Sequence, residues 1–395
     1  METNLQSEEI QLPIERKNKE NAISKTILII ILTAILSAGL GAGGLLLFFH
    51  YFPEYVSYNI TNLTKTEKEV TVNENGIADA VEKIYDSVVI VKTYQGNQLY
   101  ATGTGFVYRN VTNKYFFITN YHVIENGDKI SVVFTDGEEA IVNVEEGDKF
   151  ADIAVLSYKT DKEVRVSEIG NSSESRVGDT VFAIGAPLDS NVYSWSVTRG
   201  ILSGKDREVE VSLSNSSTSD WIMQVLQTDA AINNGNSGGP LCNSNGQVIG
   251  VTNMKLVTAG VEGMGFAIPI EEAASYADKV INGEDTSRPM LGITMSEASI
   301  KSNAKAHGLQ PIDGVLVEEV TKGSPADKAS LKTGDVIVAM NDVYVINIAS
   351  LRYQLYKYKV GDTISIKYLR DGKEQNTKLT LVAKNWLFRI SFYFA

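Results

Sequence analysis

Cysteine, histidine and proline are all scarce in this chain: one, three and eight among 395 residues. A single thiol, Cys242, excludes an internal disulfide framework, so whatever stability the protein has must come from packing. Basic charge is also short, with 36 lysines and arginines against 48 acidic residues and a net charge of -12. That balance argues against nucleic acid as a partner, since phosphate binding relies on a basic surface, and anionic lipid headgroups are repelled for the same reason. No metal and no cofactor is expected. One stretch lacks charge altogether: Thr26 to Phe49 holds no Asp, Glu, Lys or Arg, a run of about 24 residues that is long enough for a bilayer of roughly 30 Å.

The scarcity of histidine sharpens the reading of the glycine-rich turn Gly235-Asn236-Ser237-Gly238-Gly239-Pro240-Leu241. Such a turn sets a serine where two backbone N–H groups, those of Gly235 and Ser237, can converge on one point as an oxyanion hole. A hydroxyl near neutral pH needs an adjacent base to act as a nucleophile. His50 borders the apolar segment and His307 lies far downstream, which leaves His122 in Thr119-Asn120-Tyr121-His122-Val123-Ile124. Asp152, in the apolar run Phe150-Ala151-Asp152-Ile153-Ala154-Val155-Leu156, supplies a carboxylate that needs a partner if it is buried. Each residue alone has a plain structural explanation: a surface turn, a satisfied histidine, a turn or cap. Together, the order His122, Asp152, Ser237 is that of the chymotrypsin arrangement and not of the subtilisin or α/β-hydrolase ones. Cys242 reads as a small buried hydrophobe, because a catalytic thiol would lack a histidine of its own.

These segments, with Gln227-Thr228-Asp229-Ala230-Ala231-Ile232-Asn233 and Gly263-Met264-Gly265-Phe266-Ala267-Ile268-Pro269, resemble the HtrA (Deg) family of serine proteases. The resemblance runs from about Ile77 to the region of Leu381. Two positions depart from it: Asn234 stands where proline is frequent, and Tyr121 where a second asparagine is common. The resemblance implies a mostly β protein, a chymotrypsin-like double β-barrel followed by one PDZ domain, active as a serine endopeptidase and assembled at least as a homotrimer.

The remaining sequence orders itself around that core. Residues 1–25 form a cytoplasmic tail and 26–49 a transmembrane helix, because the apolar run continues past the small residues where a signal peptide would be cut. Arg16, Lys17, Lys19 and Lys25 precede the run, and Lys65 and Lys68 follow it, so the N-terminus stays in the cytoplasm and the rest lies outside. Residues 50–76 read as a polar linker. The protease domain is expected at 77–283, with short β-rich runs between helices over Ile77–Ile84 and Glu271–Ile281. Residues 284–289 form a polar hinge, 290–384 the PDZ domain, and 385–395 an aromatic, apolar tail of unassigned role.

Substrate preference is partly readable. The position six before the nucleophile, at the base of the primary pocket in this fold, is Ala231 and not an acid, so a basic side chain finds no partner. By the same resemblance Ile232 and Met264 wall the pocket, which implies small or medium aliphatic residues before the cleaved bond. Met290-Leu291-Gly292-Ile293 resembles the PDZ loop whose backbone N–H groups receive a peptide C-terminal carboxylate, with the peptide added as a strand at a sheet edge. The expected activity is degradation of unfolded or damaged proteins outside the membrane. Cleavage of one regulatory partner and a catalytically silent scaffold are the other readings open at this level.

Overall fold

The computed structural model describes residues 20–52, 76–185, 195–211, 219–233, 235–253 and 263–383. The 50–76 linker, apart from its ends, and the 385–395 tail lie outside them. The chain divides into two compact units, Met1–Val72 and Asn73–Ala395. In the first, one helix, α1 (Glu20–Tyr51), carries the uncharged run. Leu28, Ile30, Leu36 and Leu40 stand exposed around it, and Lys25–Phe48 is long and apolar enough to cross a membrane.

The second unit opens with the amphipathic helix α2 (Gly76–Tyr85), which buries Ala80 and Ile84. Six strands follow: β1 (Val88–Gln95), β2 (Gln98–Val111), β3 (Lys114–Thr119), β4 (Lys129–Val133), β5 (Glu139–Asp148) and β6 (Ile153–Lys159), with a one-turn helix α3 (Tyr121–Ile124) after β3. They close a barrel in the order β1-β2-β3-β6-β5-β4. A second closed barrel, in the order β10-β11-β12-β9-β8-β7, is built from β7 (Thr180–Gly185), β8 (Ser196–Val211), β9 (Trp221–Thr228), β10 (Pro240–Asn243), β11 (Val248–Thr252) and β12 (Gly265–Pro269). Closure removes the free sheet edges that short β-branched strands would otherwise expose. Val89, Val91, Phe117, Val132 and Leu156 fill the first barrel; Val181, Leu202, Leu226, Leu241 and Ile249 fill the second. A larger cluster joins the two barrels to α2 and to α4 (Ile270–Ile281), through Phe106, Ile118, Phe182, Ile184 and Ala273. Cys242 belongs to that cluster.

The last quarter of the chain has a core of its own. Strand β13 (Pro289–Met290) pairs with β20 (Val382–Ala383). The main sheet runs β14-β15-β16-β18-β19 with β17 beside β16, comprising β14 (Ile293–Glu297), β15 (Val315–Val320), β16 (Val336–Met340), β17 (Val343–Tyr344), β18 (Thr363–Arg370) and β19 (Lys373–Thr380). Helices α5 (Lys301–Ala306), α6 (Pro325–Lys328) and α7 (Ile348–Leu355) pack on it. Asp371 and Gly372, both at positive φ, make the tight turn that a two-residue β18–β19 hairpin demands. Asn347 and Ser350 form a reciprocal capping box that starts α7. Strand β14 is left at the sheet edge.

Candidate active site

His122 sits in α3 at the end of β3, and Asp152 on the turn that joins β5 to β6; both belong to the first barrel. Ser237 sits in the turn before β10 of the second barrel. The fold brings the three together across the seam. His122 Nδ1 lies 2.6 Å from Asp152 Oδ2, and His122 Nε2 lies 3.0 Å from Ser237 Oγ. The His122 backbone N–H also donates to Asp152 Oδ1 at 2.9 Å. A carboxylate only accepts, so Nδ1 carries the proton and Nε2 is left as an acceptor facing the hydroxyl. Asp152 and Ser237 are buried at 3% and 2% exposure, whereas the imidazole stays partly open, with 23% of its side chain exposed.

Two asparagines complete the cluster. Asn253, directly after β11, donates through Nδ2 to Asp152 Oδ2 at 2.8 Å. Asn120 stands at the N-cap of α3 but its side chain makes no cap bond. Its Nδ2 donates to the Asp152 carbonyl at 2.9 Å, and its Oδ1 lies 3.1 Å from Ser237 Oγ. Both asparagines are wholly buried. Asp152 itself is held at φ 52, a left-handed conformation that costs of order 1–3 kcal/mol for a non-glycine residue and persists where the surroundings fix it. The contacts on its carboxylate and carbonyl do so. Tyr121 packs its ring against Gly147 near the end of β5, where a side chain on Gly147 would meet it. Burial, with Glu125 and Asp148 nearby, raises the phenol pKa of Tyr121.

The serine turn is clamped from both barrels. Thr104 N–H donates to Ser237 O at 2.9 Å, and Thr104 Oγ1 to Gly235 O at 2.7 Å. Gly238 N–H donates to Thr252 O at 2.8 Å. Gly238 has φ +85, and a Cβ there would run into Thr104 O and Thr119 Oγ1, so only glycine fits. The Asn236 carbonyl accepts from Gly239 N–H at 3.0 Å and from Thr252 Oγ1. In a trans peptide this fixes the opposing Ser237 N–H direction. The Gly235 N–H belongs to the peptide shared with Asn234, which lies outside the described residues. Asn236 also bridges the loop, accepting from Asn233 N–H at 2.9 Å and donating to Ala231 O at 2.9 Å. Thr198 Oγ1 donates to the same Ala231 carbonyl at 2.9 Å.

Ala231 is exposed, Ile232 is buried, and Met264 is exposed. A Cβ on Gly265 would strike Ile232 Cγ1 at 2.5 Å, so Ile232 lies against the strand that begins just after Met264. Cys242 is fully buried, and burial pushes its thiol far above the ordinary range, which disfavours the thiolate a nucleophile would need. In the following domain, Met290 is in β13 and Ile293 opens β14. Between them Leu291 is buried, its carbonyl accepting from Ala326 N–H at 2.9 Å. Gly292 takes φ +83 against the Ser324 side chain, which turns the chain from one strand into the edge strand.

Residues 103–251 match the trypsin-like peptidase domain family, and residues 289–381 match the PDZ domain family. Over 386 residues the chain is 33% identical to the serine protease Do-like HtrA of Lactococcus lactis subsp. cremoris, covering 89% of this chain and 94% of that protein. The chain belongs to the HtrA family of serine proteases. It is also 39% identical over 290 residues to the Do-like HtrA of Bacillus subtilis, covering 72% of this chain and 64% of that relative, so it spans a little under two thirds of the latter. Among solved structures, the HtrA-type protease AlgW with a decapeptide superimposes with a TM-score of 0.59 at 27% identity, over 78% of this chain and 98% of that one. As an HtrA protease the chain is a serine endopeptidase with a chymotrypsin-like double barrel and one PDZ domain. Asn120 and Asn253 were missed by the sequence reading; Asn120 lies two positions before His122, and no spacing signal marks Asn253, 101 positions from its carboxylate partner.

Proposed function

We propose that His122, Asp152 and Ser237 carry out peptide hydrolysis on unfolded or damaged proteins outside the cell membrane, with the PDZ domain engaging peptide C-termini. The observation that carries the reading is the unbroken line of contacts from Asp152 through His122 to Ser237, 2.6 and 3.0 Å long. As Ser237 Oγ attacks the scissile carbonyl, its proton passes to His122 Nε2. Asp152 holds the ring in the Nδ1–H tautomer and stabilises the imidazolium. The Gly235 and Ser237 N–H groups receive the oxyanion, each contributing about 3 kcal/mol in the transition state. His122 then protonates the leaving amine, and water repeats the sequence on the acyl-enzyme.

Ala231, Ile232 and Met264 bring no charge of their own to the primary pocket, which suits Ala, Val or Ile before the cleaved bond. Met290 to Ile293 receive the terminal carboxylate, and β14, an edge strand among the described residues, offers its backbone to the peptide. The helix over 26–49 anchors the protein with its N-terminus in the cytoplasm, and the working assembly is a homotrimer. The deciding experiment compares full-length protein with Ser237→Ala on an unfolded casein-type substrate, alongside fluorophosphonate labelling. Cleavage and labelling by the parent and neither by the variant is expected; retained activity in Ser237→Ala overturns the assignment.

A further inference from the structure

The polar hinge contains one residue whose surroundings are not those of a linker. The Arg288 guanidinium lies 4.5 Å from the Tyr356 ring centroid, 5.3 Å from that of Trp221 and 5.8 Å from that of Phe150. Its Nε donates to Asp148 Oδ2 at 2.6 Å, and both side chains are largely covered, at 24% and 11% exposure. The other oxygen, Asp148 Oδ1, accepts from the backbone N–H groups of Phe150 at 2.8 Å and Ala151 at 3.2 Å. Those bonds close the β5–β6 turn, whose next residue is Asp152. A second arginine, Arg352 on α7, donates to Asp220 O at 2.8 Å and stands 5.4 Å from the Phe150 ring centroid. The ring two residues before Asp152 is therefore enclosed by cations that the hinge and the PDZ domain supply.

We propose that Arg288 is a positioning residue for the peptidase reaction: its ion pair with Asp148 fixes the turn that aims Asp152 at His122. The hinge and PDZ domain thereby hold up part of the active site as well as binding peptides. The inference rests on the triad reading given under Proposed function. Removing one partner of a covered ion pair costs stability, but a misplacement of about 1 Å in catalytic geometry can cost about a hundredfold in rate. Loss of the pair should therefore lower turnover even in the fraction of enzyme that stays folded.

The test uses the full chain in detergent with a chromogenic peptide too short to occupy both domains. Asp148→Asn is the cleaner variant, because its amide oxygen still accepts from Phe150 and Ala151 while the charge that holds Arg288 is gone. In Asp148→Asn and Arg288→Ala, assayed well below the unfolding midpoint of each variant, kcat per folded enzyme should fall about ten- to a hundredfold, with KM within about twofold. Arg288→Lys should recover part of the loss. Tyr353→Phe removes a different contact between the domains, the 2.8 Å bond to Glu208, and should leave kcat unchanged. Turnover within about twofold of the parent in both clamp variants, higher turnover, an equal loss in Tyr353→Phe, or failure of Asp148→Asn to fold would each overturn the proposal. A parent protein that is itself inert, like Ser237→Ala, would instead sink the peptidase reading and this one with it.

Discussion

Asp152→Asn tests the electrostatics of the site with almost no change of shape. The carboxylate faces donors only: His122 N–H at Oδ1, and His122 Nδ1–H with Asn253 Nδ2 at Oδ2. An amide must turn its NH2 toward one side. Facing the backbone, it meets a buried N–H and leaves a donor unpaired, at a cost of about 1–3 kcal/mol. Facing the ring, it donates to Nδ1 and moves the imidazole proton to Nε2, the atom that has to accept from Ser237. In either orientation the negative charge that supports the imidazolium is lost, which at a separation of roughly 4 Å and an effective dielectric near 20 amounts to about 4 kcal/mol. With about 1.4 kcal/mol per decade of rate, the lost charge alone predicts a fall in kcat of about a thousandfold, and the unpaired donor up to about a hundredfold more. Steady-state hydrolysis of a short peptide, with circular dichroism to confirm folding, measures it. A folded Asp152→Asn enzyme within tenfold of the parent would refute the charge argument.

Two further outcomes follow from named groups. Glu297 is buried, its Oε1 accepts from Ile348 N–H at 3.0 Å while its Oε2 has no hydrogen-bond partner among the described residues, and burial raises its pKa above the ordinary carboxylate value. The stability it contributes is complete below the ordinary value and is lost as pH rises through the raised one, so Glu297→Gln should flatten the pH dependence of the unfolding temperature above about pH 4–5; parallel curves would refute this. Ala231→Asp should give the primary pocket a partner for basic side chains and raise kcat/KM for Lys or Arg over Ala before the cut by about ten- to a hundredfold, as a charge-assisted bond provides; unchanged cleavage maps would remove Ala231 from the pocket.

Much of the site was legible because its chemistry is concentrated in short segments. With only three histidines His122 stands out, the apolar run around Asp152 announces a buried carboxylate, and short β-rich runs point to barrels. The rest depended on contacts between distant parts of the chain. Asn253 carries no motif, and its value lies only in where β11 ends. Arg288 read as a soluble hinge residue, although Phe150, Trp221 and Tyr356 surround it once the domains meet. Trp221, at the start of β9, packs against Tyr353 and Tyr356, which lie more than 130 positions away. Nothing local reported the left-handed backbone of Asp152, since aspartate tolerates it and leaves no glycine as a marker.

The seam between the barrels has a consequence for biosynthesis. His122 and Asp152 lie in the half that leaves the ribosome first, whereas the serine turn is gripped by Thr104 from that half and by Thr252 from the later one. On this reading, a nascent polypeptide stalled before Thr252 has every reacting side chain but no finished cradle for the hydroxyl. The cradle of the hydroxyl is therefore closed only once residue 252 of 395 has been added.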